Sequence, residues 1–259
     1  MGLEIRNQIE KIIPEGLIVT RDWLRDTMDL GKHTLDNLVK SDYLKSIQRG
    51  IYIRGAKKST SWQSIVFTLQ NIMKSDLLVG GLTALELKGY THYIPVSGTE
   101  RIMLYGDDNV PQWCNEYVLK AKFCKNSQRE IFANMDKEEM AKYTVSIPWE
   151  DTQIKAVCPE MAILQVLRKV PNEVSFEHAA ELMQGMTSLS PRKLQVLLEA
   201  CTHIGVKRLF LFLANHYKYV WFTRLKTENV YLGSGKRMLV EGGELDKNYL
   251  ITVPKNFIK

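Results

Sequence analysis

Apolar residues recur at helical spacing through the first forty positions and then give way to a short alternating run. Ile5, Ile9, Ile12 and Ile13 share one face of a helix predicted over residues 3–13, which Pro14 and Gly16 end. Leu17, Ile18 and Val19 form a short extended stretch. Thr20 suits the N-cap of a second helix, residues 21–28, whose stripe is Trp23, Leu24 and Met28. Asp29-Leu30-Gly31 is expected to be a tight turn, with Gly31 at its positive-φ position. A third helix is predicted from Lys32 to Ser41, facing inward through Leu35, Leu38 and Val39. Residues 44–54 then predict a β-hairpin turning near Arg49-Gly50. Helix, strand, helix, tight turn, helix, hairpin is the element order of a winged helix-turn-helix.

The rest of the chain predicts a larger mixed α/β domain, so the fold class is α+β with domains at 1–58 and 59–259. A linking helix is expected at about 60–73, behind Ser59-Thr60-Ser61. Leu77 to Tyr90 suggests a short strand, a glycine turn and a helix closed by Gly89. The paired glycines Gly80-Gly81 are expected to serve close backbone packing in preference to cradling phosphate. Residues 92–150 alternate short β-like runs, Arg101–Tyr105 and Tyr143–Ile147, with turns and a helix near Trp113. From Cys158 the pattern is helical, with starts at Pro159, Ser175, Ser190-Pro191 and about Val206; residues 219–259 suggest strands and loops.

Composition changes this picture mainly through charge. The net charge of +6 is unevenly spread: residues 31–58 hold seven Lys/Arg against two Asp/Glu, residues 59–150 hold nine against eleven, and residues 192–237 hold nine against two. Clustered cations attract a polyanion, because each neutralised phosphate releases condensed counterions. The first cluster coincides with the third helix and the hairpin. In a helix-turn-helix the N-terminal residues of that helix face base edges in the major groove. The candidates there are Lys32, His33, Thr34 and Asn37, with Lys40 one turn on; Arg49 at the wing tip, with Arg54, Lys57 and Lys58 beyond, would reach phosphate or the minor groove. Asp36 on the same helix should point away or read a cytosine amine.

The second cluster supplies Lys207, Arg208, Arg224, Lys236 and Arg237 as a secondary basic surface for DNA backbone or an acidic partner. Lys207 and Arg208 begin a helix, where positive charge opposes the dipole and calls for an anionic neighbour. Internal carboxylates such as Glu199 or Glu241 are the alternative to an external phosphate.

No catalytic or cofactor motif is found. Gly233-Ser234-Gly235-Lys236-Arg237 fails as a P-loop, since Val230 replaces a required glycine and Arg237 the required Ser/Thr, though a basic glycine loop could hold phosphate or carboxylate. His92, His178, His203 and His216 are isolated, and Asp107-Asp108 resembles a turn. Cys114, Cys124, Cys158 and Cys201 stand at no metal-ligand spacing and are expected to be reduced, mostly buried thiols of a cytoplasmic protein. The start MGLEIRNQIE has no apolar signal core, and no run is long enough to span a bilayer, so neither a leader nor membrane insertion is expected. The chain is therefore not expected to be an enzyme or to take a cofactor or metal.

With these residues in place, the chain resembles the AbiEi antitoxin family of type IV toxin–antitoxin systems over nearly its whole length. The resemblance rests on Gly31 to Lys40 followed by Arg49-Gly50-Ile51-Tyr52, on Gly81-Leu82-Thr83-Ala84-Leu85-Glu86, and on Val206-Lys207-Arg208-Leu209 with Leu232 to Arg237. It implies that the winged helix represses the operon promoter at repeated sites. It implies too that the C-terminal domain counteracts a nucleotidyltransferase-like toxin without a lasting complex. The expected partners are thus double-stranded DNA and that toxin, with the protein a monomer or weak dimer. The competing expectation is a winged-helix adaptor that contacts only protein.

Overall fold

The computed structural model describes residues 3–55, 59–90 and 98–258. At the N-terminus, α1 (Leu3–Ile12), β1 (Ile18–Thr20), α2 (Arg21–Met28), α3 (Lys32–Lys40), β2 (Leu44–Gln48) and β3 (Ile51–Arg54) follow in the predicted order. The strands form one antiparallel sheet in the order β1-β3-β2, with Val19 opposite Tyr52 and Ser46 opposite Tyr52 from the other side. This is a winged helix. Its core takes most of what the periodicity marks: Ile9, Ile13, Leu24, Leu35, Leu38 and Leu44 are all at most 2% exposed, whereas Ile12, expected on the same face as Ile9, is 43% exposed. Each such side chain contributes about 1.5–3 kcal/mol through burial.

Local chemistry sets the ends of these helices. The Thr20 hydroxyl accepts the Trp23 N–H at 3.2 Å and starts α2. The turn that follows departs from expectation. Asp29 takes the left-handed conformation at φ 50°, while Gly31 is extended at φ −65° and caps α3. Asp is among the few side chains that tolerate the left-handed region, which frees Gly31 from that task.

The linking helix begins at Ser61, whose hydroxyl accepts the Ser64 N–H. It runs as α4 (Trp62–Phe67) and loosens into a π turn over Thr68–Ile72. There the Thr68 hydroxyl donates to the Ile18 carbonyl at 2.7 Å. Gln70 is buried and fully satisfied: its amide donates to the Leu77 and Lys155 carbonyls and accepts the Lys155 N–H at 2.7 Å.

The middle of the chain contributes β4 (Leu78–Val79), α5 (Gly81–Leu87), β5 (Glu100–Tyr105), α6 (Trp113–Tyr117), β6 (Ala121–Asn126), α7 (Lys137–Ala141), β7 (Thr144–Trp149) and β8 (Thr152–Val157). Their strands form a five-stranded sheet in the order β6-β5-β4-β8-β7, with Val79 parallel to Ala156. The α8 (Pro159–Leu167), α9 (Phe176–Gly185) and α10 (Pro191–Ala200) helices start where Pro159, Ser175 and Ser190 predicted, whereas α11 (Ile204–Tyr217) starts two residues before the expected Val206. A second three-stranded sheet follows, β10 (Glu244–Asp246), β11 (Ile251–Val253) and β9 (Arg237–Met238), with β11 central.

The chain packs as two compact units: Met1–Leu78 with Ile94–Lys125 and Ser146–Lys155, and Val79–Tyr93 with Asn126–Val145 and Ala156–Lys259. The second unit is built around α8 and α11. Every residue of α8 from Glu160 to Leu167 is buried, as is every residue of α11 from Gly205 to Ala214. Two polar residues of α8 are held by hydrogen bonds: Glu160 accepts the Ser190 N–H at 2.8 Å, and Gln165 accepts the Gly81 N–H at 2.8 Å. That second bond occupies the glycine turn with an internal amide, in keeping with its expected packing role.

Candidate nucleic-acid interface

α3 buries Leu35 and Leu38 and turns the opposite edge to solvent. Lys32, His33, Asn37 and Lys40 are exposed; Thr34 and Asp36 are half-buried. Gly31 caps the helix without a side chain, so the first-turn N–H groups of α3 have no capping acceptor from Gly31. Such groups, with the helix dipole behind them, favour an anion. A Cβ at Gly31 would meet nothing within 4 Å, so this position is open.

The hairpin carries exposed Arg49 at its tip beside Gly50, which holds φ 80°. The Gly50 carbonyl accepts the Arg21 N–H at 2.8 Å and ties the tip to the start of α2. A register shift between Ser46 and Gln48 bends β2 just before the tip. Exposed Lys45 on β2 and Arg21 on α2 add two cations that the sequence analysis did not single out. The signal available for Lys45 was its place in the predicted hairpin, next to apolar Leu44. α2 is otherwise a poor polyanion contact, because Arg25 is engaged by Asp22 at 3.2 Å and by Asp26 at 2.9 Å.

Arg54 lies elsewhere than expected. It ends β3 at the far end from the tip and is half-buried, its guanidinium 6.0 Å from the centre of the Tyr43 ring. Arg6 approaches the same ring at 5.5 Å, and the Tyr43 hydroxyl donates to Glu10 at 2.9 Å. Burial, then the bond to Glu10, raises the Tyr43 hydroxyl above its ordinary pKa. Arg54 thus covers Tyr43 at the base of the wing. Lys57 and Lys58 lie outside the described residues.

The second basic cluster is divided by the fold. Arg224, Lys236 and Arg237 are exposed. Lys207 and Arg208 are only 3% and 1% exposed, because α11 has no solvent face over its first three turns. Arg208 is too enclosed to meet an external phosphate, and Glu199 and Glu241 are not its partners. Its guanidinium donates to four backbone carbonyls: Leu232 at 2.8 Å, Gly235 at 2.6 Å, Gly233 at 3.1 Å and Leu250 at 3.3 Å. The glycine loop therefore presents oxygens inward and grips a cation, the reverse of a phosphate cradle. Gly233 and Gly235 allow this with φ of 62° and 77°. The Lys207 ammonium lies 5.8 Å from the centre of the Tyr231 ring, and no carboxylate among the described residues pairs with it. Burial lowers its pKa.

His203 caps α11, its Nδ1 accepting the Val206 N–H at 3.2 Å. Burial, then the charges of Arg168 and Arg237, holds its pKa below the ordinary value of 6.5. The unfolded chain accepts this proton more readily than the folded one. The stabilising cap is fully present above about pH 6.5 and is lost as pH falls through the lowered folded value. Urea midpoints at pH 7.5 and 5.5 should fall more for the native chain than for His203→Asn, which keeps a capping acceptor without a titrating ring. Equal falls would refute this account.

Burial pushes the thiols of Cys114 and Cys158 up to about 12 and that of Cys201 to about 11, so these three are unreactive near neutrality. Asp107 and Asp108 form a turn whose N–H groups donate to Asp76 at 3.1 and 3.0 Å. Among the described residues no three His, Cys, Asp or Glu side chains are grouped to hold a metal, and no helix is long and apolar enough to cross a membrane.

Residues 4–96 match the family described as transcriptional regulator, AbiEi antitoxin N-terminal domain, and residues 99–254 match transcriptional regulator, AbiEi antitoxin, type IV TA system. Among solved structures, the chain is similar in fold to the RV2827C protein from Mycobacterium tuberculosis. That likeness has a TM-score of 0.59 at 13% identity, over 96% of this chain and 89% of the other. No curated protein matches the chain.

Proposed function

Because this chain belongs to the AbiEi family of type IV toxin–antitoxin transcriptional regulators, we propose that its winged helix binds repeated sites in its own operon promoter and represses it. The observation that carries this reading is the exposed edge of α3. Lys32, His33 and Asn37 stand on it, behind an N-terminus capped only by Gly31, in the same sheet-and-helix module as exposed Arg49. Lys32, Arg49, Lys40 and Lys45 hold phosphate and set the register on the duplex. Thr34 and Asn37 read base edges, Asn37 having the amide that pairs with adenine. Arg54 supports the wing through Tyr43.

The C-terminal part counteracts a nucleotidyltransferase-like toxin without a lasting complex. This antitoxin role is separable from DNA binding.

Two measurements test the reading. Gly31→Asp puts a carboxylate where the α3 N-terminus would receive a phosphate. A capping Asp is at least as good for the helix as Gly, by a few tenths of a kcal/mol. The expected result is an unchanged or slightly higher melting temperature with at least about a fivefold loss of affinity for the chain's own upstream duplex. Unchanged affinity in the folded variant refutes the docking. Second, co-expression with the neighbouring toxin gene should restore growth equally for the native chain and for Lys32→Ala/Arg49→Ala. Loss of rescue in that variant would show that the two roles are not separable.

A further inference from the structure

Lys207 and Arg208 act together on one short segment. Arg208 fixes its backbone from Leu232 to Gly235 through part-buried hydrogen bonds, and Lys207 lies 5.8 Å from the centre of the Tyr231 ring that opens it. Beyond the clamp, Arg237 and Met238 form β9, at the edge of the sheet opposite acidic β10 (Glu244–Asp246). A Cβ at Gly233 would meet the side chain of Ile204 at 3.4 Å, so the segment runs beside the first turn of α11.

What this rigid segment offers to solvent is specific in kind. Tyr231 is 74% exposed although its ring is positioned by Lys207, and Met238 is 74% exposed as well. Lys236 and Arg237 are exposed between them in sequence, and residues 230–240 contain no Asp or Glu. An exposed aromatic ring followed along the chain by two exposed cations, with no acid between Val230 and Val240, suits a base stacked on the ring with its phosphates on the cations. A duplex hides its base faces inside the helix, so the matching ligand is a single strand. We propose that Tyr231, with Lys236, Arg237 and Met238, forms a stacking platform for single-stranded nucleic acid, separate from the winged helix and independent of the duplex-binding reading. Lys207 and Arg208 are positioning residues for it.

Fluorescence anisotropy with labelled dT12 and rU12 tests this, using the full chain carrying Lys32→Ala/Arg49→Ala so that the winged helix contributes little. That chain should bind at low salt and release as salt rises. Adding Tyr231→Ala should weaken binding about tenfold or more, Tyr231→Phe should stay within about twofold, and Arg237→Ala should weaken binding and flatten the salt dependence. Circular dichroism melts check that each variant is folded. Absence of binding at low salt, or equal affinity with and without the Tyr231 ring, overturns the platform. So does loss in Tyr231→Phe equal to that in Tyr231→Ala, since Phe keeps the ring face and the affinity would then come from the hydroxyl and not from stacking. Binding of an acidic protein at this segment, with no affinity for either oligonucleotide, overturns it too. Duplex binding by the native chain is scored separately, so either reading can fail alone.

Discussion

Arg208→Ala should be among the most destabilising single substitutions in the C-terminal half. The guanidinium is the hydrogen-bond donor for carbonyls of Leu232, Gly233, Gly235 and Leu250, and its removal leaves those oxygens without it at a site where the side chain is 1% exposed. Removing one partner of a buried charge-assisted set costs about 3–5 kcal/mol. In a chain of this size that corresponds to a fall in melting temperature of roughly 6–20 °C. Arg208→Lys should recover only part of it, because an ammonium is a compact point donor and cannot span four acceptors arranged around a planar fork. The check is a thermal melt of both variants, with protease sensitivity of the 231–238 segment as the local readout. A melting point unchanged in Arg208→Ala would mean that the clamp carries no stability. The same substitution at Arg224, which is exposed, should be nearly neutral.

The second large effect concerns duplex binding. Lys32→Ala/Arg49→Ala should lower affinity for the upstream duplex by about ten- to a hundredfold at moderate salt and reduce the salt slope by about two. Both side chains are exposed, so the fold should be unaffected. Asn37→Ala should behave differently. Its loss should fall on the preferred sequence, by about 1–3 kcal/mol, with little change in binding to unrelated DNA. Titrations over a range of salt, on the native promoter and on a scrambled duplex, separate the two. A salt slope unchanged in the double variant would remove phosphate contact from Lys32 and Arg49. An equal loss on both duplexes for Asn37→Ala would remove base reading from that residue. The adaptor alternative predicts neither effect.

Much of the winged helix is legible in the sequence because its signals are local. Apolar spacing marks α1 and α3, Thr20 caps α2, and Arg49-Gly50 turns the hairpin. Helix starts at Ser175, Ser190 and Pro159 are equally local, each depending on a hydrogen bond or a fixed φ within three residues. β6, α7 and β8 were not anticipated, since short strands lean on partners far away in sequence, and β4 and β8 meet at residues 79 and 156. The Asp29-Leu30-Gly31 turn shows a finer limit. Two residues could supply the left-handed conformation, and the structure uses Asp29.

The sequence by itself determined the succession of helices and strands in the winged helix, the starts of α8, α9 and α10, and the concentration of cations near residues 31–58 and 192–237. These follow from nearest-neighbour sterics, capping and periodicity, which need no knowledge of what lies across the core. Tertiary structure alone decided which cations face water. Lys32 and Arg49 stay outside, whereas Arg208 is enclosed by a glycine loop 24 to 27 residues further on and Arg54 is drawn over Tyr43. Burial is a property of everything that packs around a side chain, and charge alone does not disclose whether its partner is a solvent-borne phosphate or a carbonyl of the same chain.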